Sequence, residues 1–306
     1  MAVSPGGGRV FVTGESSSGR ATGGHSETDS ETVAYSAATG RRLWVSHYHG
    51  PGIGPGNDYD GASAVAVSSA GSTVFVTGTS TGRRTGQSDY ATVAYSAATG
   101  RQLRVSRYSG PANGLDGATA VAVSPAGGKV FVTGTSDGRT PGEYATLAYS
   151  AATGRQLWVS RYHGPGNLDY GASAVAVSPD GSRVFVTGTS SGRTTDGDYA
   201  TVACSAATGR QLWVSRYRGY EAESVAVSPD GTTVYVTGYN GAHGDYATVA
   251  YGAATGRQLW ASRYHGPRNN GGAHCVAVSP AGTRVFVTGW SEGRTGYDYA
   301  TVAYRG

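Results

Sequence analysis

Glu223 and His274 are the two residues of this chain best suited to acid–base chemistry. Each stands where related segments of the same chain carry a small hydroxyl, Ser63, Thr119 or Ser173. A carboxylate and an imidazole can pass a proton near neutral pH, or hold opposite ends of one polar ligand. A second aligned position, just after a recurring Val-Thr-Gly, reads Glu15, Thr79, Thr135, Thr189, Tyr239 and Trp290, so the same segments depart from threonine again. Nearby loops add Tyr220, Glu221, His243, Glu292, Arg294 and Tyr297, and the first segment adds His25 and Glu31. A site that needs one glutamate does not need it six times, so departures from a repeat mark function better than matches do. The expected catalytic pair is Glu223 and His274. The expected ligand-binding residues are Glu15, Tyr220, Tyr239, His243, Trp290, Arg294 and Tyr297.

Other reactive residues carry less. His49, His163 and His265 recur in Tyr-His-Gly-Pro at the end of outer strands of alternate segments, too far apart to share one ion. Asp58, Asp60, Asp116 and Asp169 lack the dense oxygen spacing of a calcium loop. Cys204 and Cys275 occupy different positions in different segments, and Cys275 reads as a small buried hydrophobe. The Gly-rich loops are followed by no helix whose N-terminus would hold a phosphate. Neither a metal nor another cofactor is expected.

These residues are positioned by a repeat. Val-Thr-Gly begins at Val12, Val76, Val132, Val186, Val236 and Val287, spaced about 50 to 64 residues apart. Each full unit reads as four short runs rich in β-branched and aromatic residues: Ala-Val-Ala-Val, Val-Phe-Val-Thr-Gly, Tyr-Ala-Thr-Val-Ala-Tyr and Gln-Leu-Trp-Val-Ser-Arg-Tyr. Ser-Pro-Asp-Gly or a variant turns the first run into the second, and Ala-Ala-Thr-Gly turns the third into the fourth. The pattern predicts an all-β, six-bladed β-propeller of four-stranded antiparallel blades, at approximately 1–50, 61–110, 117–164, 171–219, 221–266 and 272–306, within one domain over 1–306. The last blade is expected to lack its outer strand, leaving an exposed edge on which a protein could pair. The variable loops gather on one face, where a ligand pocket between blades 5, 6 and 1 is expected. Asp-Tyr pairs at Tyr90, Tyr144, Tyr199, Tyr246 and Tyr299 recur too regularly for a unique site and read as packing between blades.

Composition narrows the function classes. Charged residues are only 14% of the 306 residues while glycine numbers 50, a balance that favours short strands and tight turns over long solvated helices. The net charge of +4 is scattered, with no basic run, so no nucleic-acid partner is expected. No stretch reaches the roughly 18 to 20 apolar residues of a membrane helix, and Met1 leads into Ala-Val-Ser-Pro without a signal segment.

The run from Asp198-Tyr199-Ala200-Thr201-Val202 through Gln211-Leu212-Trp213-Val214-Ser215-Arg216-Tyr217, with Ser228-Pro229-Asp230-Gly231 and Val234-Tyr235-Val236-Thr237-Gly238, resembles the bacterial β-propeller repeat family known as SBBP and its YVTN-type surface relatives. That resemblance implies the fold, and an extracytoplasmic setting if upstream sequence is missing; the residues alone leave the compartment open. Ala34-Tyr35-Ser36-Ala37-Ala38-Thr39-Gly40-Arg41-Arg42-Leu43-Trp44 is similar to the tryptophan-docking motif of quinoprotein propellers. Trp158, Trp213 and Trp260 repeat it, and Arg104 breaks it. The likeness implies tryptophans stacked between blades and carries no quinone cofactor to this chain.

The leading expectation is a binding propeller for a polar small molecule, a glycan or a protein segment. The alternative is a hydrolase, lyase or isomerase using Glu223 and His274 in the same pocket. A structural surface or assembly protein is the third.

Overall fold

The computed structural model describes residues 1–17, 28–52, 59–82, 87–138, 142–166, 171–192, 197–241 and 244–306. His25, Asp58, Asp169 and His243 lie outside the described residues. Within them the chain is all strand and turn, with no α-helix. It divides into two compact units, Met1–Val159 and Ser160–Gly306.

The strands run in chain order. The first sheet holds β1 (Ala2–Val3), β2 (Arg9–Ser17), β3 (Thr28–Ser36) and β4 (Arg42–Tyr48). The second holds β5 (Asp60–Val67), β6 (Thr73–Thr81), β7 (Ser88–Ser96) and β8 (Gln102–Tyr108); the third holds β9 (Asp116–Val123), β10 (Lys129–Ser136), β11 (Glu143–Ser150) and β12 (Gln156–Tyr162). The fourth holds β13 (Ala172–Val177), β14 (Arg183–Ser190), β15 (Asp198–Ser205) and β16 (Gln211–Tyr217); the fifth holds β17 (Glu221–Val227), β18 (Thr233–Asn240), β19 (Asp245–Gly252) and β20 (Gln258–Tyr264). The last holds only β21 (Gly271–Val278), β22 (Arg284–Glu292) and β23 (Tyr297–Arg305). Every sheet is an antiparallel meander, and the three-stranded last sheet leaves one edge of β23 unpaired among the described residues.

Period-2 alternation explains why such short strands hold. In β6, Val74 and Val76 face the first sheet and pack with Phe11, Ala34 and Tyr48. Phe75, between them, faces the third sheet and packs with Val130, Val132 and Leu147. In the second unit Val234 and Val236 pack with Phe185 and Tyr199, while Tyr235 packs with Val285 and Val287. Each middle sheet is therefore buried on both faces, and each fully buried aromatic or valine contributes roughly 1.5–3 kcal/mol. Recurring threonines close the polar groups inside: Thr77–Thr92 at 2.9 Å, Thr133–Thr146 at 2.9 Å and Thr237–Thr248 at 3.1 Å.

The repeated Tyr-Ala-Thr tyrosines link neighbouring sheets. Tyr90 Oη donates to the Ala145 carbonyl at 3.3 Å, and Tyr246 Oη donates to the Ala300 carbonyl at 3.3 Å. Tyr299 departs from this reading, being 88% exposed in the three-stranded last sheet.

Candidate functional site

The first strand of five sheets carries a β-bulge at one fixed place. The register skips between Ala62 and Ala64, Ala118 and Ala120, Ala172 and Ala174, Ala222 and Ser224, and Ala273 and Cys275. The residues skipped by the ladder register are thus Ser63, Thr119, Ser173, Glu223 and His274. A bulge releases one side chain from the ladder and re-aims it, which is why bulges concentrate next to sites. The glycine of Val-Thr-Gly pairs beside each bulge and lets the backbones close on one another: a Cβ at Gly238 would collide with the Glu221 carbonyl, and one at Gly289 with the Gly272 carbonyl.

Glu223 is half-buried and His274 exposed. Burial raises the Glu223 carboxyl above its ordinary range, the neighbouring Glu221 adds to the rise, and His274 opposes it. Among the described residues no hydrogen bond or ion pair joins the two. Cys275, expected to be buried, is exposed. It lies opposite Thr288 on a face of the last sheet that is exposed along with Phe286, while Val276 takes the core-facing place.

Aromatic residues gather at the same end of the second unit. Tyr220 and Tyr239 meet edge to face at 5.8 Å, and Trp290 and Tyr297 do so at 5.5 Å. Gly272 lies between these pairs: a Cβ there would stand 2.9 Å from Trp290 Nε1 and 3.3 Å from Tyr239 Cδ2. The result is a row of four rings, with Tyr220 41% and Tyr297 74% exposed. Each pair gains about 0.5–1.5 kcal/mol beyond the area it buries, which keeps the row ordered without covering it.

Arg294 contributes its carbonyl, which accepts from Arg268 Nη2 at 3.0 Å, while the residue itself is exposed. Arg268 Nη1 also reaches Glu292 Oε1 at 3.4 Å, and Asn270 Nδ2 donates to Glu292 Oε2 at 2.8 Å. Those contacts, the Asn270 hydrogen bond first, hold the Glu292 carboxyl below its ordinary range. Arg268 and Asn270 were not legible as partners, because loop residues carry no periodic signal. In the first unit Glu15 accepts a very short hydrogen bond from Tyr59 Oη. That bond, with burial and the Glu15 charge, pushes the Tyr59 hydroxyl up to about 12.

The first unit also draws three chemistry-bearing residues together that the sequence keeps apart. His49 Nδ1 lies 2.9 Å from Asp29 Oδ1 and 4.0 Å from Asp60 Oδ2. Asp60 is 1% exposed, and burial raises its carboxyl above the ordinary range against the lowering effect of Ser80, Gly50, His49 and Arg107. The signal was present in the sequence only as one histidine among three and one aspartate among four.

A cavity of about 600 Å³ in the second unit lies elsewhere, among the turns that carry Ser228, Asp230, Pro280 and Thr283, and no expected site residue lines it. No helix is long and apolar enough to cross a membrane.

Antiparallel four-stranded sheets repeated along the chain, each packed face to face on its neighbour within a unit, define a β-propeller repeat protein. The chain belongs to the family described as outer membrane protein assembly factor BamB, whose profile matches residues 144–301. Among solved structures, Kuenenia stuttgartiensis hydrazine synthase is similar in fold, with a TM-score of 0.62 and 15% identity over 95% of this chain and 75% of that one. None of the curated proteins matches.

Proposed function

We propose that the chain is a six-bladed propeller that acts as a binding module in protein assembly, and that a protein segment docks on the row Tyr220, Tyr239, Trp290 and Tyr297. Glu223 and His274, freed from their ladders by the bulges, supply polar anchors beside it. The observation that carries this reading is the half-exposed aromatic row itself, two of whose members, Tyr239 and Trp290, stand where the second, third and fourth sheets have threonine. Tyrosine and tryptophan are enriched at the energetic centres of protein interfaces, and rings already packed edge to face lose little entropy on docking. The family description, an assembly factor, favours a protein partner over a small polar molecule or a glycan. Acid–base catalysis has less behind it, because Glu223 and His274 make no hydrogen bond to one another.

The test is selection of binders from a library of displayed peptides on the folded chain. Selected peptides should bind the parent and lose at least tenfold in affinity to Trp290→Thr and Tyr239→Thr, which restore the sister residue, with unfolding temperatures near that of the parent. Peptides that bind both variants as well as the parent, or a library that yields none while a glycan panel does, overturn the reading.

A second reading rests on a separate observation, the unpaired edge of β23 with Tyr299 88% and Tyr297 74% exposed. Such an edge is a template for strand addition by a partner, the geometry of a structural assembly protein.

A further inference from the structure

We propose that Asp29, His49 and Asp60 form a binding site for one divalent transition-metal cation of the zinc or manganese class. One ligand atom from each lies within 4.8 Å of the other two. Around an ion with bonds of about 2.0–2.2 Å, tetrahedral ligands sit roughly 3.3 Å apart, so the 2.9 and 4.0 Å separations need adjustments of about 0.4 to 0.7 Å, within reach of side-chain rotation at the exposed His49. An imidazole with two carboxylates suits zinc, manganese or cobalt, whereas calcium takes six to eight oxygens.

The second observation is Asp60 itself. Its Oδ2 accepts the Gly50 N–H at 2.7 Å, and its Oδ1 is buried without a partner in hydrogen-bonding geometry. A buried carboxylate left in this state is costly unless paired or bound to a metal. Arg107 lends Asp60 some charge at a distance, but its hydrogen bonds go elsewhere, to Tyr48, to Ser80 and Thr81, and to Asp89 Oδ2 at 3.1 Å. Two carboxylates therefore face one imidazole, a deficit that a dication balances.

Comparison among the sheets shows how the site came to exist at one junction. The acidic residue that opens the third strand is neutralised by an arginine of the fourth strand in two sheets, Asp89 by Arg107 and Asp198 by Arg216 at 3.0 Å. In the first sheet that register holds His47, opposite Glu31, so Asp29 has no such arginine. The pair His265–Asp245, at 2.8 Å, repeats the histidine and the first carboxylate, but the register of Asp60 is taken there by Gly271. Histidine, first carboxylate and second carboxylate coincide at the first junction alone among the described residues. His49 is 50% and Asp29 17% exposed on the side chain, which leaves an approach for the ion and for water on its open positions. A bound ion ties β3 and the end of β4 to the start of β5.

The experiment is calorimetric titration of the chelator-treated chain with Zn2+, Mn2+ and Ca2+, alongside thermal unfolding with and without each ion. One equivalent of Zn2+ or Mn2+ should bind and raise the unfolding temperature, with Ca2+ weaker by at least tenfold. His49→Ser, the residue the next sheet carries as Ser109, and Asp60→Asn should each weaken binding at least tenfold, while His265→Ser leaves it unchanged. Asp60 is buried, so the exposed His49→Ser variant keeps the test decisive if Asp60→Asn folds poorly. No binding to the parent, equal binding by His49→Ser, or loss in His265→Ser of the same size overturns the proposal.

Discussion

Glu223 and His274 occupy the same register position in consecutive sheets, each as the one residue its strand leaves out of the ladder. The carboxyl of Glu223 is raised by burial first and by Glu221 second, so the folded chain binds its proton more tightly than the unfolded chain does. The stabilising contribution is therefore complete below the ordinary glutamate range and is lost as pH rises through the folded value. Glu223→Gln should gain stability over the parent at pH 7, and the gap should close below about pH 4. Half-exposure screens the effect, so the gain is below about 1 kcal/mol, a rise of at most a few degrees in unfolding temperature. A variant less stable than the parent at pH 7 shows instead that the ionised carboxylate is held by its surroundings.

The glycine beside each bulge has no room for a side chain. Gly238→Ala should destabilise the fold by about 1–3 kcal/mol and lower the unfolding temperature accordingly, because the new Cβ meets backbone rather than a flexible tip. Gly6→Ala, with open space around the glycine, serves as the control and should change little. Differential scanning calorimetry reads both. Equal effects show that the strands can part at no cost.

Much of the fold was legible because its cause is local. The Val-Phe-Val alternation marks strands buried on both faces, and a period near 50 residues marks the sheet as the repeating unit. The bulge was not legible, because a skipped residue leaves the alternating pattern looking intact; nor was the exposure of Cys275, which lies on the open face it shares with Thr288 and Phe286. Departures from the repeat marked Tyr239 and Trp290 in the sequence, whereas their approach across Gly272 depends on a glycine that sequence alone makes unremarkable. The group Asp29, His49 and Asp60 was hidden for another reason. Its members come from a strand start, a strand end and the next sheet, and only the close approach at Gly50, where a Cβ would collide with Ser80 and Asp60, brings them together.

Arg104 stands in the register that Trp44 and Trp213 occupy in their sheets. Trp44 Nε1 donates to the Ala97 carbonyl at 3.1 Å and Trp213 Nε1 to the Ala253 carbonyl at 3.0 Å, while Arg104 sends Nη2 to the Ala151 carbonyl. Its guanidinium lies 5.8 Å from the Phe75 ring, and burial lowers its pKa. The arginine thus copies the tryptophan contact while carrying a partly desolvated charge. Arg104→Trp should match or exceed the parent, by up to about 1 kcal/mol, since a well-packed apolar group commonly replaces a buried charge without loss. Chemical denaturation checks this, and a drop in midpoint shows that the charge itself is needed.

The free edge of β23 should be visible to hydrogen exchange. β19 pairs with β18 on one side and β20 on the other, from Tyr246↔Tyr264 to Tyr251↔Gln258, whereas β23 pairs only with β22. Amides of β23 that point away from β22 should exchange orders of magnitude faster than their counterparts in β19, which are held by a second ladder. A synthetic peptide copying Gln211–Tyr217, the outer strand of another sheet, supplies the chemistry this edge lacks: alternating donors and acceptors with a tryptophan in the register that Ala250 meets as Trp260. Adding it in excess should slow the β23 amides and leave those of β19 unchanged. A scrambled peptide of the same composition should do neither, because strand addition depends on register. Slow exchange along β23 before any peptide is added shows the edge already paired in solution, and lack of protection with the peptide removes strand addition from the assembly reading.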